Sequence, residues 1–159
     1  DPRNEPHPVQ ALVTQWIRAG YQVGHQIRFE LEQEFGWMSG EDDLYRRPVG
    51  GMNPYSVTIP GVPWAYFHSG RYLAARLSLH WKILGDVELG PLLSGVGLRD
   101  VDRVGADEVS LVWGIGGALS WRNANWQVDL RGGLSPALRS LYPEQQAWST
   151  LIFVGWGSP

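Results

Sequence analysis

GYQVGHQIRFELEQEFGW, residues 20–37, is the stretch whose reading decides the fold. Glu30, Glu32 and Glu34 occupy every second position, and Tyr21, Val23, Ile27, Phe29, Leu31 and Phe35 occupy the positions between. A period of two marks a β-strand with one polar and one apolar face. A helix would scatter the glutamates around its axis and leave no continuous apolar stripe. Read from Ala19 to Phe35 as one element, the alternation predicts a strand roughly 55 Å long at about 3.3 Å per residue.

Working outward, the same signature returns at 71–89. Leu73, Ala75, Leu77, Leu79, Trp81, Ile83, Val87 and Leu89 take one face there, and Arg76, Ser78, His80, Lys82, Asp86 and Glu88 the other. Gly85-Asp86 suits a tight hairpin turn, which starts a new strand running to about Leu98. Looser alternation covers 109–121, then the turn Arg122-Asn123-Ala124-Asn125, then 126–134 with Asp129 and Arg131 on its polar face, and finally 147–156. Six strands are legible, and two more fit within 44–60 or at the N-terminus. Val9, Leu12, Val13, Trp16 and Ile17 also stand at i, i+3, i+4, i+7 and i+8, the spacing of a short amphipathic helix. Residues 38–63, with Gly50-Gly51, Pro48, Pro54, Pro60 and Pro63, read as one long irregular loop. No fixed-period repeat and no domain boundary is visible, so 1–159 is taken as a single domain.

An alternating strand fits two opposite objects. A soluble lipocalin-like barrel turns its apolar face inward around an apolar ligand, whereas an outer-membrane barrel turns it toward lipid and fills its lumen with polar side chains. Nine tryptophans, most of them in or at the ends of strands, suit the interfacial girdles of the second. The polar face offers Arg28, Glu30, Glu32, Glu34, Arg76, His80, Lys82, Asp86, Glu88, Asp129 and Arg131, charges of opposite sign that can pair across a narrow lumen. The fold expected is an antiparallel up-and-down transmembrane barrel of eight strands in the bacterial outer membrane. The opening DPRNEPHP, residues 1–8, reads as the polar leader of an exported protein after removal of its signal peptide.

Several classes of chemistry fall away. There is no cysteine, hence no disulfide, thiolate metal site or cysteine nucleophile. The net charge of −3 gives no basic field for nucleic acid, and no run of about 18 apolar residues makes a transmembrane helix. The four histidines, His7, His25, His68 and His80, form no metal-binding spacing, and no cofactor is expected. Gly114-Ile115-Gly116-Gly117 resembles a phosphate loop only in its letters. Carboxylates at i, i+2 and i+4 stand about 6–7 Å apart, a separation used in sugar hydrolysis. Interior ion pairing accounts for them more simply. The remaining candidate is a hydrolytic triad of His68 or His80, Ser69 or Ser78, and Glu32 or Glu34.

With the strands in place, the chain resembles a small eight-stranded outer-membrane barrel. Through VPWAYFHSGRYLAARL (62–77), ELGPLL (88–93) and GGLSPALRS (132–140) it is similar to the lipid A deacylase family. The resemblance implies an acyl hydrolase acting on membrane lipid. That family carries a His-x-Ser-Asn-Ala motif on a late strand, and here no histidine follows His80, so no catalytic residue transfers. The reading is therefore a non-enzymatic barrel that anchors or scaffolds and contacts lipopolysaccharide through 38–63, alone or with a protein partner or further copies. A lipid A-modifying hydrolase is the alternative.

Overall fold

The computed structural model describes residues 12–38, 47–51, 57–63, 66–101 and 110–156. It is an all-β, antiparallel, up-and-down sheet: β1 (Leu12–Val23), β2 (Ile27–Met38), β3 (Arg47–Val49), β4 (Phe67–Leu84), β5 (Val87–Val101), β6 (Ser110–Arg122), β7 (Trp126–Leu134) and β8 (Trp148–Trp156), with one helix, α1 (Pro136–Leu141), between β7 and β8. Seven long strands run in the order β1-β2-β4-β5-β6-β7-β8, and the three-residue β3 pairs β4 at its start. The sheet is not closed, because β1 and β8 are edges of this order with no ladder between them. The closed barrel expected from the alternation is thus an open sheet among the described residues. No helix among them is long and apolar enough to cross a membrane.

The opening stretch holds two strands, not one. β1 and β2 pair from Leu12↔Met38 to Val23↔Ile27 around a three-residue turn, where Gly24 takes φ +62°. Facing residues in this hairpin sum to 50, so both are even or both odd, and the alternation continues through the turn without a phase break. The helix expected from Val9, Leu12, Val13, Trp16 and Ile17 is overturned over 12–17. Val13, Thr14, Trp16 and Ile17 are strand formers, and the ladder to β2 takes their backbone groups. The N-terminal leader lies outside the described residues. The turn at Gly85-Asp86 is present, and β4 and β5 pair across it with an irregularity between Lys82 and Leu84.

The sheet curls. One cavity of about 290 Å³ is lined by Arg18, Glu32, Arg76 and Arg131, from β1, β2, β4 and β7. Strands so far apart in the ladder meet only around a concave face. Its polar members alternate with an apolar convex face. Among the described residues thirty large hydrophobic residues are exposed, most of them on that face and others such as Trp16, Phe153 and Leu141 elsewhere, against twelve buried hydrophobics, which inverts the usual inside and outside of a soluble protein. Strand by strand, no charged side chain lies on the convex face of β2 between Ile27 and Trp37, of β4 between Leu73 and Trp81, of β6 between Trp113 and Trp121 or of β8 between Trp148 and Trp156, so tryptophans bound a charge-free stretch. Trp113 and Trp121 on β6 are eight residues apart, about 27 Å along the strand or about 19 Å at a tilt of ~45°.

The two ends of the sheet differ. Short turns at 24–26, 85–86 and 123–125 lie at one end, while the ends of β2, β5 and β7 that lead into the longer connections lie at the other. At the long-connection end the described residues of the expected irregular loop turn inward. Val49, Val57, Ile59 and Val62 are buried on the concave face against Phe67, Tyr72, Ala74, Val96, Leu98, Val112 and Leu138. Two glycines make room for them, since a Cβ on Gly114 would stand 1.9 Å from the Pro60 carbonyl oxygen and one on Gly116 3.0 Å from the Pro60 side chain. Ser94 Oγ donates to the Thr58 carbonyl at 2.7 Å, and Ser149 Oγ accepts from Gly61 N–H at 3.0 Å. α1 caps this core, with Ser135 Oγ accepting from Leu138 N–H and donating to the Trp113 carbonyl.

Candidate functional site

The register that carries the apolar residues outward carries the charges inward, and it stacks them in rows across strands. Arg18, Glu32 and Arg76 are successive Cα partners on β1, β2 and β4. The two Glu32 carboxylate oxygens face two guanidiniums, Arg18 on one side and Arg76 on the other. One row toward the short turns, Glu30 receives Arg18 Nε at 3.0 Å and faces His80 Nε2 at 3.4 Å. Next, Arg28 reaches Glu88 at 3.9 Å, from β2 to β5 over the top of β4. Glu34 lies on the other side of Glu32 and accepts from Tyr72 O–H at 2.6 Å, where the polar rows give way to the buried apolar cluster.

The remaining charges expected on the polar face are on the same side. Asp129 is buried and accepts from Gln127 Nε2 at 2.6 Å. Arg131 lines the 290 Å³ cavity and also a second, of about 490 Å³, with Arg28, His80, Lys82, Asp86, Glu88, Arg122 and Asp129. Lys82 stands opposite Glu88 in the β4–β5 ladder, and Asp86 sits in the turn between the two strands. The expected residues therefore gather on one concave surface.

Arg18 is the network residue missed in the sequence. It lies just ahead of Ala19, where the alternating stretch read from the sequence begins. The signal was present nonetheless: Arg18 and Glu32 lie at equal distances from the turn centred on His25, so folding back there puts opposite charges face to face.

The triad candidates separate. Ser69 is buried, and its hydroxyl serves the carbonyls of Arg71 and Arg99, each at 2.8 Å. Its neighbour His68 stands opposite Pro48 of β3. Ser78 and His80 do approach, Oγ to Nε2 at 3.2 Å, but the acid expected from Glu32 or Glu34 is instead Glu88, 3.7 Å from Nδ1. Glu30 competes with Ser78 for Nε2. A general base must hold the proton it removes and be oriented by its other nitrogen. Here Nε2 is divided between two oxygens, and 3.7 Å is too long for an orienting hydrogen bond. The cluster is better suited to binding charge than to transferring acyl groups. The Gly114–Gly117 stretch holds the inward segment at Pro60, not a phosphate.

No family model, no curated protein and no solved structure matches the chain.

Proposed function

We propose that this chain is an outer-membrane β-barrel protein whose convex face lies in lipid, whose concave face forms a plugged polar lumen, and whose role is anchoring or scaffolding without catalysis. The observation that carries the reading is the charge-free apolar band between two tryptophan levels, set against paired charges on the other face. Large apolar side chains outside and ion pairs inside are stable only where the surroundings are less polar than the interior. A lumen filled by Arg18–Glu32–Arg76 at its middle and by residues 57–62 at one end suits a structural part better than a pore.

Lipopolysaccharide contact also has support, though not from the segment first expected to make it. The described residues of 38–63 face inward. Arg71 and Arg99, however, are exposed Cα partners on the convex side, in the same row as Trp37 at the long-connection end. Two adjacent cations at headgroup depth suit the phosphates of an anionic lipid. Cell fractionation tests the reading: the protein should pellet with outer membranes and be released only by detergent. Recovery in the soluble fraction without detergent would sink it.

A lipid A-modifying hydrolase remains the second reading, favoured by the Ser78–His80 contact alone. Mass spectra of lipid A with and without expression of the chain decide it, because unchanged acylation removes the hydrolase.

A further inference from the structure

The guanidiniums on the concave face are not all matched by carboxylates. Arg18 and Arg76 share Glu32, Arg18 also takes Glu30, and Arg28 reaches Glu88. Arg131 is half-buried and makes no ion pair or hydrogen bond among the described residues. Asp129, two positions away on the same face of β7, accepts from Gln127 Nε2 instead. Across the cavity of about 290 Å³, Arg131 meets another cation, Arg76, and the two like charges repel. An enclosed cation facing a second cation is costly unless an anion neutralises it.

The carboxylates lining that cavity are already engaged. Glu32 lies between Arg18 and Arg76, and Glu34 accepts from Tyr72 O–H. The lining therefore sets three guanidiniums, Arg18, Arg76 and Arg131, against two carboxylates. Arg76 donates to Glu32 through Nη2, one corner of a planar fork with five N–H donors. Beside Arg131 the concave surface is low, because its successive partners on β6 and β5 are Ala118 and Gly90. The second cavity, of about 490 Å³, also reaches Arg131 and extends to Asn123 and Ala124 in the turn between β6 and β7. At the opposite end the buried Val57, Ile59 and Val62 close the concave face. Approach to Arg131 is thus from the short turns.

We infer that Arg131 and Arg76 form an oxyanion site inside the lumen, which takes a small tetrahedral anion of the phosphate type from the short-turn side. Each planar guanidinium can hold two oxygens of one such anion, and a dianion between them converts a repulsion into a bridge. The site is separate from Arg71 and Arg99, which lie on the convex face. It adds a ligand to the scaffold role and rests on the enclosed lumen of that reading.

Urea unfolding of the purified protein in micelles of a phosphate-free detergent tests it, with inorganic phosphate compared against chloride at equal ionic strength. An anion bound only by the folded protein raises the unfolding midpoint with its concentration. The parent midpoint should climb with phosphate and not with chloride, and Arg131→Gln should abolish the response. By calorimetric titration, Arg131→Gln should weaken phosphate binding at least tenfold. Without phosphate, this variant should unfold at the parent midpoint or later, because it removes a cation that has no partner and relieves Arg76. Arg71→Gln combined with Arg99→Gln should keep the full phosphate response.

No phosphate-specific rise in the parent would show that water alone solvates Arg131, and would overturn the inference. So would an equal rise in Arg131→Gln, loss of the response in the Arg71 and Arg99 double variant, or failure of Arg131→Gln to fold without phosphate, which would reveal a structural partner. Cell fractionation keeps the two proposals distinct. Protein that pellets with outer membranes but ignores phosphate fails this inference alone, whereas soluble protein fails the membrane reading and the lumen site with it.

Discussion

Glu32→Gln is the substitution that most sharply tests whether the charged rows are enclosed. The change keeps an amide of the same shape between Arg18 and Arg76 and removes the carboxylate that both guanidiniums contact. The two sides of the row differ in exposure. Glu32 and Arg76 side chains are 21% and 28% exposed, while Arg18 is 55% exposed. Removing one partner of a buried pair costs about 3–5 kcal/mol, and losing an exposed pair about 0–1 kcal/mol. With partial exposure and a retained amide, the expected loss is about 2–4 kcal/mol, a roughly 30- to 700-fold shift in the folding equilibrium. Urea unfolding of the protein in detergent micelles, followed by tryptophan fluorescence, measures it. Arg18→Gln serves as the control and should cost no more than about 1 kcal/mol. If Glu32→Gln falls within about 0.5 kcal/mol of the parent, as substitutions on a solvated surface do, the concave face is open to water and the enclosed network is refuted.

Three further outcomes are expected. Gly114→Ala drives a methyl group against the Pro60 carbonyl, so the 57–62 segment must move; it should become accessible to limited proteolysis at an overpacking cost of about 1–3 kcal/mol, and unchanged protection would disprove the close approach. Leu77→Arg places a charge in the middle of the convex band and should cost about 2–4 kcal/mol and lower recovery in membranes, whereas Leu77→Ile should be near neutral; equal recovery of both would place that face outside lipid. Arg71→Gln combined with Arg99→Gln should reduce the lipopolysaccharide that co-purifies with the protein, and an unchanged ratio would remove that contact.

Much of this was legible in the sequence because a sheet's side-chain period is short and its faces are chemically distinct. Glu30, Glu32 and Glu34 fixed which face was polar, and Gly85-Asp86 marked a turn in a run that otherwise alternated without interruption. What stayed hidden has identifiable causes. The turn at 24–26 preserves phase, so two strands passed as one of double length. Trp16 and Ile17 fit a helical spacing as well as a strand, and only the twelve-pair ladder to β2 separates the two. The inward fold of 57–62 is invisible locally, since it depends on the missing side chains of Gly114 and Gly116 more than fifty residues away. α1 was missed as well: six residues are too few for periodicity to register, though Ser135-Pro136 carries the cap and first-turn proline of a helix start. For the candidate site, composition identified the charges but not their partners. Of the pairs that form, Arg18 with Glu32 needed the hairpin, and Arg28 with Glu88 needed the strand order that sets β2 and β5 on either side of β4.

The central claim is that the tryptophan-bounded convex face sits in a bilayer, and quenching by brominated lipid tests it most directly. The convex tryptophans Trp37, Trp81, Trp113, Trp121, Trp126, Trp148 and Trp156 serve as built-in probes at the two edges of the band. Reconstituted into vesicles brominated either high on the acyl chain or near its end, the protein should lose most of its fluorescence, and more with the bromines near the headgroup. Fluorescence unaffected by either lipid, from protein that floats free of the vesicles, would contradict the account.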